Sequence, residues 1–333
     1  MEFENILDGL KNKIYKPLYL FYGEESYFID ELINYIQRNV LAESEKAFNQ
    51  TIVYGKDANP VEIIELARRY PMMANLQVVI VKEAQDLKDF KLFEAYFENP
   101  VKSTMLVFGF KQTKTLDRRL KVNNLILKNG VVFESKKLYE KEVYPWITNS
   151  LKKENLTIHP EALRLLYESI GSDLSRLSNE ISKLIITQQP GTQILTDDIA
   201  RNIGVNRDFN IFELQKALGE KDKLKVYKIM DYFGKDSKTN PLIATVARLF
   251  DYFSKLIKVH TLESKSRDSV ASALGVKPYF ADEYLRAATN YPLAKLVNIV
   301  SYLRETDMKC KGVDSNDIGD ADLAKELIYK ILH

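Results

Sequence analysis

The residues most suggestive of chemistry lie between Leu18 and Ile36, LYLFYGEESYFIDELINYI. They read as a buried strand (Leu18–Tyr22), a glycine turn at Gly23 and a helix opening at about Ser26. A phosphate-binding loop begins this way, with the spacing G-x-x-x-x-G-K-[ST]. Its glycines let backbone N–H groups close on phosphate, its Lys reaches the β/γ-phosphates, and its hydroxyl holds Mg²⁺. Counted from Gly23, the second glycine position holds Phe28, the Lys position Ile29 and the Ser/Thr position Asp30. Glu24 and Glu25 add negative charge where a triphosphate would sit. A helix N-terminus favours an anion, but this pattern neutralises no polyphosphate. The expectation is a nucleotide-binding architecture without nucleotide chemistry: no cofactor, no catalytic residue, and a binding or mechanical role.

Two further parts of an ATPase can be tested on the sequence. The apolar strand Gln77–Val81 runs into Lys82 and Glu83, where a Mg²⁺-organising acidic pair would stand. A lysine cannot ligate a cation. The strand Thr104–Phe110 runs into Lys111 and Gln112, with no obvious sensor for a γ-phosphate. Three losses together argue against ATP hydrolysis. Metal and thiol chemistry is equally thin. Cys310 is the single cysteine, and His159, His260 and His333 are widely spaced, so no zinc set is suggested.

Two stretches could bind something. Lys111–Lys121, KQTKTLDRRLK, carries five basic residues against Asp117 alone. It could contact DNA phosphates or form a solvated helix start; no aromatics are interleaved for base stacking. The stretch Arg69–Gln77, RYPMMANLQ, lies between a helix and a buried strand. Met72 and Met73 could fill space at the sheet's edge. Equally, they could be an exposed pair of flexible, polarisable knobs for a partner's groove. Arg176 and Lys183 could sense phosphate, but helical spacing pairs them with Asp173 and Glu180.

The elements that would position these residues follow from periodicity. Strands alternate with helices through the first third, which implies a parallel, doubly wound sheet. Predicted helices there include Ser26–Ala42, Val61–Tyr70, Asp89–Phe97 and Thr115–Lys128. The middle reads as a small helical unit: a helix starting near Pro145, then Glu161–Ile170, then one capped by Ser172 or Asp173, then one capped by Thr196. From Phe209 onward only helices are predicted. Ala271–Phe280 has the outline of a helix-turn-helix, which packing around Gly275 and Pro278 explains without DNA. Total charge is nearly balanced, 48 basic to 46 acidic residues, so no global field draws the chain to nucleic acid or membrane. The acidic, discontinuous N-terminal stretch does not read as a secretory signal, and no apolar run approaches membrane-spanning length. A cytoplasmic protein is expected.

The order of these parts resembles the delta subunits of bacterial DNA polymerase III, a family of clamp-loader proteins. The resemblance rests on LYLFYGEESYFIDELI, PMMANLQVVIVKEA, GSDLSRLSNEISKL, ILTDDIARNIG, RDFNIFELQKALG, GVKPYFADEYLRAA and LRETDMKCKG. Together these cover nearly the whole chain. The resemblance implies an α/β plus all-α protein: a degenerate AAA+ RecA-like parallel-sheet domain (1–140), a helical lid domain (141–208) and a helical collar domain (209–333). It also implies a non-catalytic subunit that binds and opens the β sliding clamp in a bacterial, replisome-associated setting. Its other partners would be the tau/gamma and delta-prime subunits, with primer–template DNA met through the assembled complex. An apolar pair before the third strand enters the clamp's pocket in this family. Here those positions are Met72 and Met73, where relatives often carry Leu and Phe. The alternatives are a delta-prime-like stator and an active AAA+ ATPase or helicase.

Overall fold

The computed structural model describes residues 2–203, 209–235, 237–238, 240–276, 278–313 and 318–333. The expected boundary at 208, the family-like residues Gly204, Arg207 and Lys277, and the predicted start of the last helix at Asp317 lie outside them. The chain divides into two compact units, Met1–Tyr139 and Glu140–His333.

The first unit runs α1 (Glu2–Lys11), β1 (Leu18–Gly23), α2 (Ser26–Asn39), α3 (Glu43–Asn49), β2 (Gln50–Tyr54), α4 (Pro60–Arg68), β3 (Gln77–Lys82), α5 (Glu94–Glu98), β4 (Thr104–Lys111), α6 (Lys121–Asn129) and β5 (Val131–Ser135). The five strands form one parallel sheet in the order β2-β3-β4-β1-β5. Successive strand residues face opposite sides. Leu18, Leu20, Val79, Val81, Leu106 and Phe108 therefore meet Ile63, Ala67, Phe93, Phe97 and Ile126 on one face. Tyr19, Phe21, Val78, Ile80, Met105 and Val107 meet Leu10, Ile29, Leu32, Ile33 and Ile36 on the other. Burial on both faces explains the continuous apolar runs of β1, β3 and β4.

Several expectations need correcting. The predicted helix Ser26–Ala42 stops at Asn39, and a further helix that the periodicity does not mark, α3, follows it, its Glu45 carboxylate accepting from the Ala42 N–H. The predicted helix Thr115–Lys128 begins only at Lys121. Asp117 accepts from the backbone N–H of Arg119 and turns the chain first. Residues Phe90–Phe93 form a 3-10 turn ahead of α5.

The second unit opens with α7 (Glu140–Lys153), in which Pro145 lies inside the helix rather than at its start; Glu140 and Glu142 occupy the first turn, where acids suit the helix dipole. It continues with β6 (Thr157–Ile158), α8 (Pro160–Ile170), α9 (Leu174–Thr187), β7 (Gln193–Ile194) and α10 (Thr196–Ile203). The short parallel pair β6–β7 adds strands to a part that periodicity reads as helical throughout. Asp173 caps α9 by accepting from the Arg176 N–H. At α10 the capping bond comes from Asp198, whose carboxylate accepts from the Leu195 N–H, and not from the Thr196 hydroxyl.

Among the described residues seven helices complete the unit: α11 (Ile211–Glu220), α12 (Lys223–Lys235), α13 (Leu242–Thr261), α14 (Arg267–Leu274), α15 (Pro278–Asn290), α16 (Leu293–Cys310) and α17 (Asp320–Leu332). They share one apolar core that includes Leu249, Phe253, Leu256, Tyr291, Ile299, Leu303 and Leu327. Gly275 takes the left-handed conformation that closes α14. Arg164 of α8 lies between two rings, 4.4 Å from Phe212 and 4.8 Å from Phe280. It pairs with Glu168 and Glu283, each at 3.4 Å. Arg248 of α13 also reaches Glu168, at 3.1 Å. Within this unit half-buried charge therefore ties α8 to α13 and α15, and the ring contact with Phe212 ties it to α11. Among the described residues no helix is long and apolar enough to cross a membrane.

Candidate partner-binding site

Two places in the first unit concentrate the sequence-predicted site residues. The first is the corner after β1. Strand β1 ends at Gly23 and α2 starts at Ser26, so two residues make the turn. A phosphate-binding loop needs several successive N–H groups converging on one point. Here the turn is folded onto β5 instead. The Glu25 N–H donates to the Ser135 carbonyl at 3.2 Å, and the Ser135 hydroxyl donates to the Glu25 carbonyl at 2.6 Å. The Glu25 carboxylate accepts from the Tyr27 N–H at 3.0 Å, so the helix start already carries its own anion. Phe28 packs on Phe3 with ring centroids 5.0 Å apart, and Ile29 is wholly buried under the sheet. Asp30 pairs with Lys111 at 2.8 Å and Glu24 with Lys114 at 3.3 Å.

Those pairings also explain the basic window. Lys111 and Lys114 face the acids of the corner, Lys121 pairs with Glu98 at 2.9 Å, and Arg119 forks onto Asp117. The hydrogen bonds from Arg119 hold the Asp117 carboxyl well down, to about 2. Four of the five cations are thus matched by acids, which lowers the pull on a phosphate backbone. At the end of β3, Lys82 donates to Gln37 at 3.0 Å. In the second unit Lys183 pairs with Glu180 at 2.7 Å, as its spacing predicts.

The second place is the loop from α4 to β3. Its roots are held by buried polar groups. The Ala67 carbonyl accepts from the Thr104 hydroxyl at 2.8 Å and from the Tyr96 hydroxyl at 3.3 Å. Burial pushes the Tyr96 hydroxyl up to about 12, so it remains a neutral donor. The Leu66 carbonyl accepts from the Gln77 side-chain amide at 2.9 Å. Between these anchors Leu76 packs against the core, and three larger side chains turn outward. Tyr70 is 89% exposed, Met72 59% and Met73 99%. The space-filling alternative for the two methionines therefore fails, because neither belongs to a core. Met73 also sits in the left-handed region, with φ +52, uncommon for a residue with a side chain. Tyr70 joins this surface although its residue type alone does not mark it. The available signal is its place, an aromatic just before Pro71 at a helix end, with little core left to reach.

The corner at the C-terminal edge of the sheet is thus closed, and at the opposite edge, ahead of β3, an apolar loop is held out in water. The sequence profile of the DNA polymerase III delta subunit matches residues 19–136, and the profile of that subunit's C-terminal domain matches residues 208–323.

The chain belongs to the DNA polymerase III delta subunit family.

As a delta subunit it is a component of the clamp loader. A middle-domain profile matches residues 139–201. The DNA polymerase III subunit delta of Bacillus subtilis (strain 168) is 25% identical over 319 residues, covering 92% of this chain and 91% of the relative. The probable DNA polymerase III subunit delta of Aquifex aeolicus (strain VF5) is 25% identical over 178 residues, covering 50% and 49%. The solved structure of the Bacillus subtilis DNA clamp loader delta protein matches the fold at a TM-score of 0.57, with 23% identity and 99% of both chains covered. The chain has the mixed architecture of that delta protein, a five-stranded parallel sheet followed by helical parts.

Proposed function

We propose that this chain binds the β sliding clamp and favours its opened form, acting as a lever in the loader rather than as an ATPase. Met72 and Met73 are the residues that grip the ring. The observation that carries this reading is an apolar pair held out in water on a loop whose roots are fixed. Methionine side chains are flexible and polarisable, and they adapt to an apolar pocket in place of the Leu and Phe often found in relatives. A flat surface of scattered apolar residues would need no explanation, but adjacent exposed apolar residues on a rooted loop mark a contact.

Opening follows from differential affinity. A ligand shifts a two-state equilibrium only as far as it binds one state better than the other. The chain therefore has to fit the relaxed, opened clamp interface better than the closed ring. Residues 1–140 carry the clamp contact, 141–208 form the lid and 209–333 the collar through which tau/gamma and delta-prime subunits assemble. Primer–template DNA is met through that complex, in the bacterial cytoplasm.

The test is a titration of the clamp with the purified chain and with Met72→Ala/Met73→Ala. Central apolar anchors are worth about 2 kcal/mol or more each when truncated, so the variant should bind at least tenfold more weakly while still joining the loader. An unchanged affinity removes the pair from the site. Failure of the chain alone to capture the clamp would favour a stator role instead.

A further inference from the structure

Asn49, at the end of α3, is buried, with only 2% of the residue exposed. Its side chain reaches the loop between α4 and β3 and pairs with Met72 as one backbone strand pairs with another. The Asn49 side-chain carbonyl accepts from the Met72 N–H at 2.6 Å, and its amide donates to the Met72 carbonyl at 2.9 Å. The same amide lies 3.2 Å from the Glu45 carbonyl, one turn back in α3. Both backbone polar groups of Met72 are thus held by one side chain that is itself anchored to a helix.

The next residue shows why such a bracket is needed. Met73 holds φ +52, and its side chain is almost wholly exposed. Non-glycine residues persist in that region only where the surroundings over-determine the backbone. No core contact of the Met73 side chain can do this, because 99% of the residue faces solvent. The constraint has to enter through the backbone, and the bonds to Asn49 are adjacent to it.

We propose that Asn49 is a positioning residue that pre-organises the Met72–Met73 loop for its partner. This deepens the clamp reading above and rests on it. A loop already fixed in its bound shape avoids the ordering cost that a free loop meets on binding. Apparent affinity falls in proportion to the fraction of competent loops. Two backbone hydrogen bonds of ordinary net strength correspond to about a tenfold change in that fraction.

The experiment uses the full chain with Asn49→Ala and Asn49→Asp, and with Met72→Ala/Met73→Ala as the contact control. Asn49→Asp keeps the volume and the acceptor but places a carboxylate against the Met72 carbonyl. Because a buried carboxylate also costs stability, the strand amides Val78–Val81 serve as the control for a global effect. Amide hydrogen exchange is read at Met72 and at Val78–Val81 without partner, and clamp affinity is read by titration. The expected result is exchange at Met72 about tenfold faster in both Asn49 variants, unchanged exchange in the strand, and about tenfold weaker clamp binding. Unchanged exchange at Met72, wild-type behaviour of Asn49→Asp, or equal acceleration across Val78–Val81 would each overturn the proposal. So would wild-type affinity of the Asn49 variants when the methionine variant binds weakly. If the methionine variant itself binds normally, the clamp reading is what has failed, and Asn49's part in affinity goes with it.

Discussion

Gly23 stands so close to Ser135 that a Cβ on it would lie 1.9 Å from the Ser135 carbonyl oxygen. Gly23 also holds φ +150, a backbone region rarely open to other residues. This close approach seals the corner where a phosphate would otherwise enter, since it lets the turn bond directly to β5. Gly23→Ala is expected to destabilise the chain by about 3 kcal/mol, combining overpacking with backbone strain. Denaturant titration of the variant checks this. A change within about 0.5 kcal/mol of wild type, the range of ordinary surface substitutions, would mean the approach is not tight.

The same seal predicts how the chain responds to nucleotide. Restoring the motif residues should not restore binding, because Glu25 already occupies the helix start and the turn is too short to form a cradle. Calorimetry with ATP and Mg²⁺ should give no binding heat for the wild type or for Ile29→Lys/Asp30→Ser. The double variant should also lose about 3 kcal/mol of stability, since Ile29 is fully buried in the sheet face. Micromolar ATP affinity in either protein would contradict the closed-corner description.

Tyr70 extends the exposed surface of the methionine loop. Aromatic side chains carry a large share of contact energy at interfaces. Tyr70→Ala is therefore expected to weaken clamp binding by about tenfold. Its folding stability should change by less than about 0.5 kcal/mol, because the side chain is in water. Paired titration and thermal unfolding separate the two effects.

Arg164 is expected to be the most sensitive polar position of the second unit. Its guanidinium stacks between Phe212 and Phe280 and pairs with Glu168 and Glu283. Burial raises the Glu168 carboxyl, while Arg164 and Arg248 pull it down. Arg164→Met removes one of those cations and should cost about 2 kcal/mol, because Glu283 loses its cation and half-buried Glu168 is left with Arg248 alone. Arg164→Lys keeps the charge but not the planar stack, and should recover only part of the loss. Chemical denaturation of the three proteins gives the ranking directly; equal stability of the Lys variant and wild type would show that stacking contributes nothing.

The sheet was legible because β1, β3 and β4 are apolar runs bounded by glycine, proline or charge. The helical end was legible because long stripes such as Leu242 to Ile257 repeat at helical spacing. The empty phosphate motif was also legible, since it depends on residue types at fixed offsets. Helix α3 was not: EKAFN runs into β2 without a glycine or proline to mark the change. Its loss concealed Asn49, whose partner Met72 is distant in sequence and is met through backbone atoms that carry no residue signature. The late start of α6 was missed because Asp117 turns the chain through a local side-chain bond that competes with the helix. Exposure of the methionines was undecidable from pattern, since the same residues fill cores and grip partners.

On the proposed reading the chain opens the ring by binding alone, and that can be watched. A fluorophore and quencher are placed across one interface of the β clamp, and the purified chain is added without nucleotide. The expected signal is dequenching that saturates with chain concentration, is unaffected by ATP, and is lost in Met72→Ala/Met73→Ala. Binding to the clamp with no dequenching, or dequenching that needs ATP hydrolysis by this chain, would contradict it.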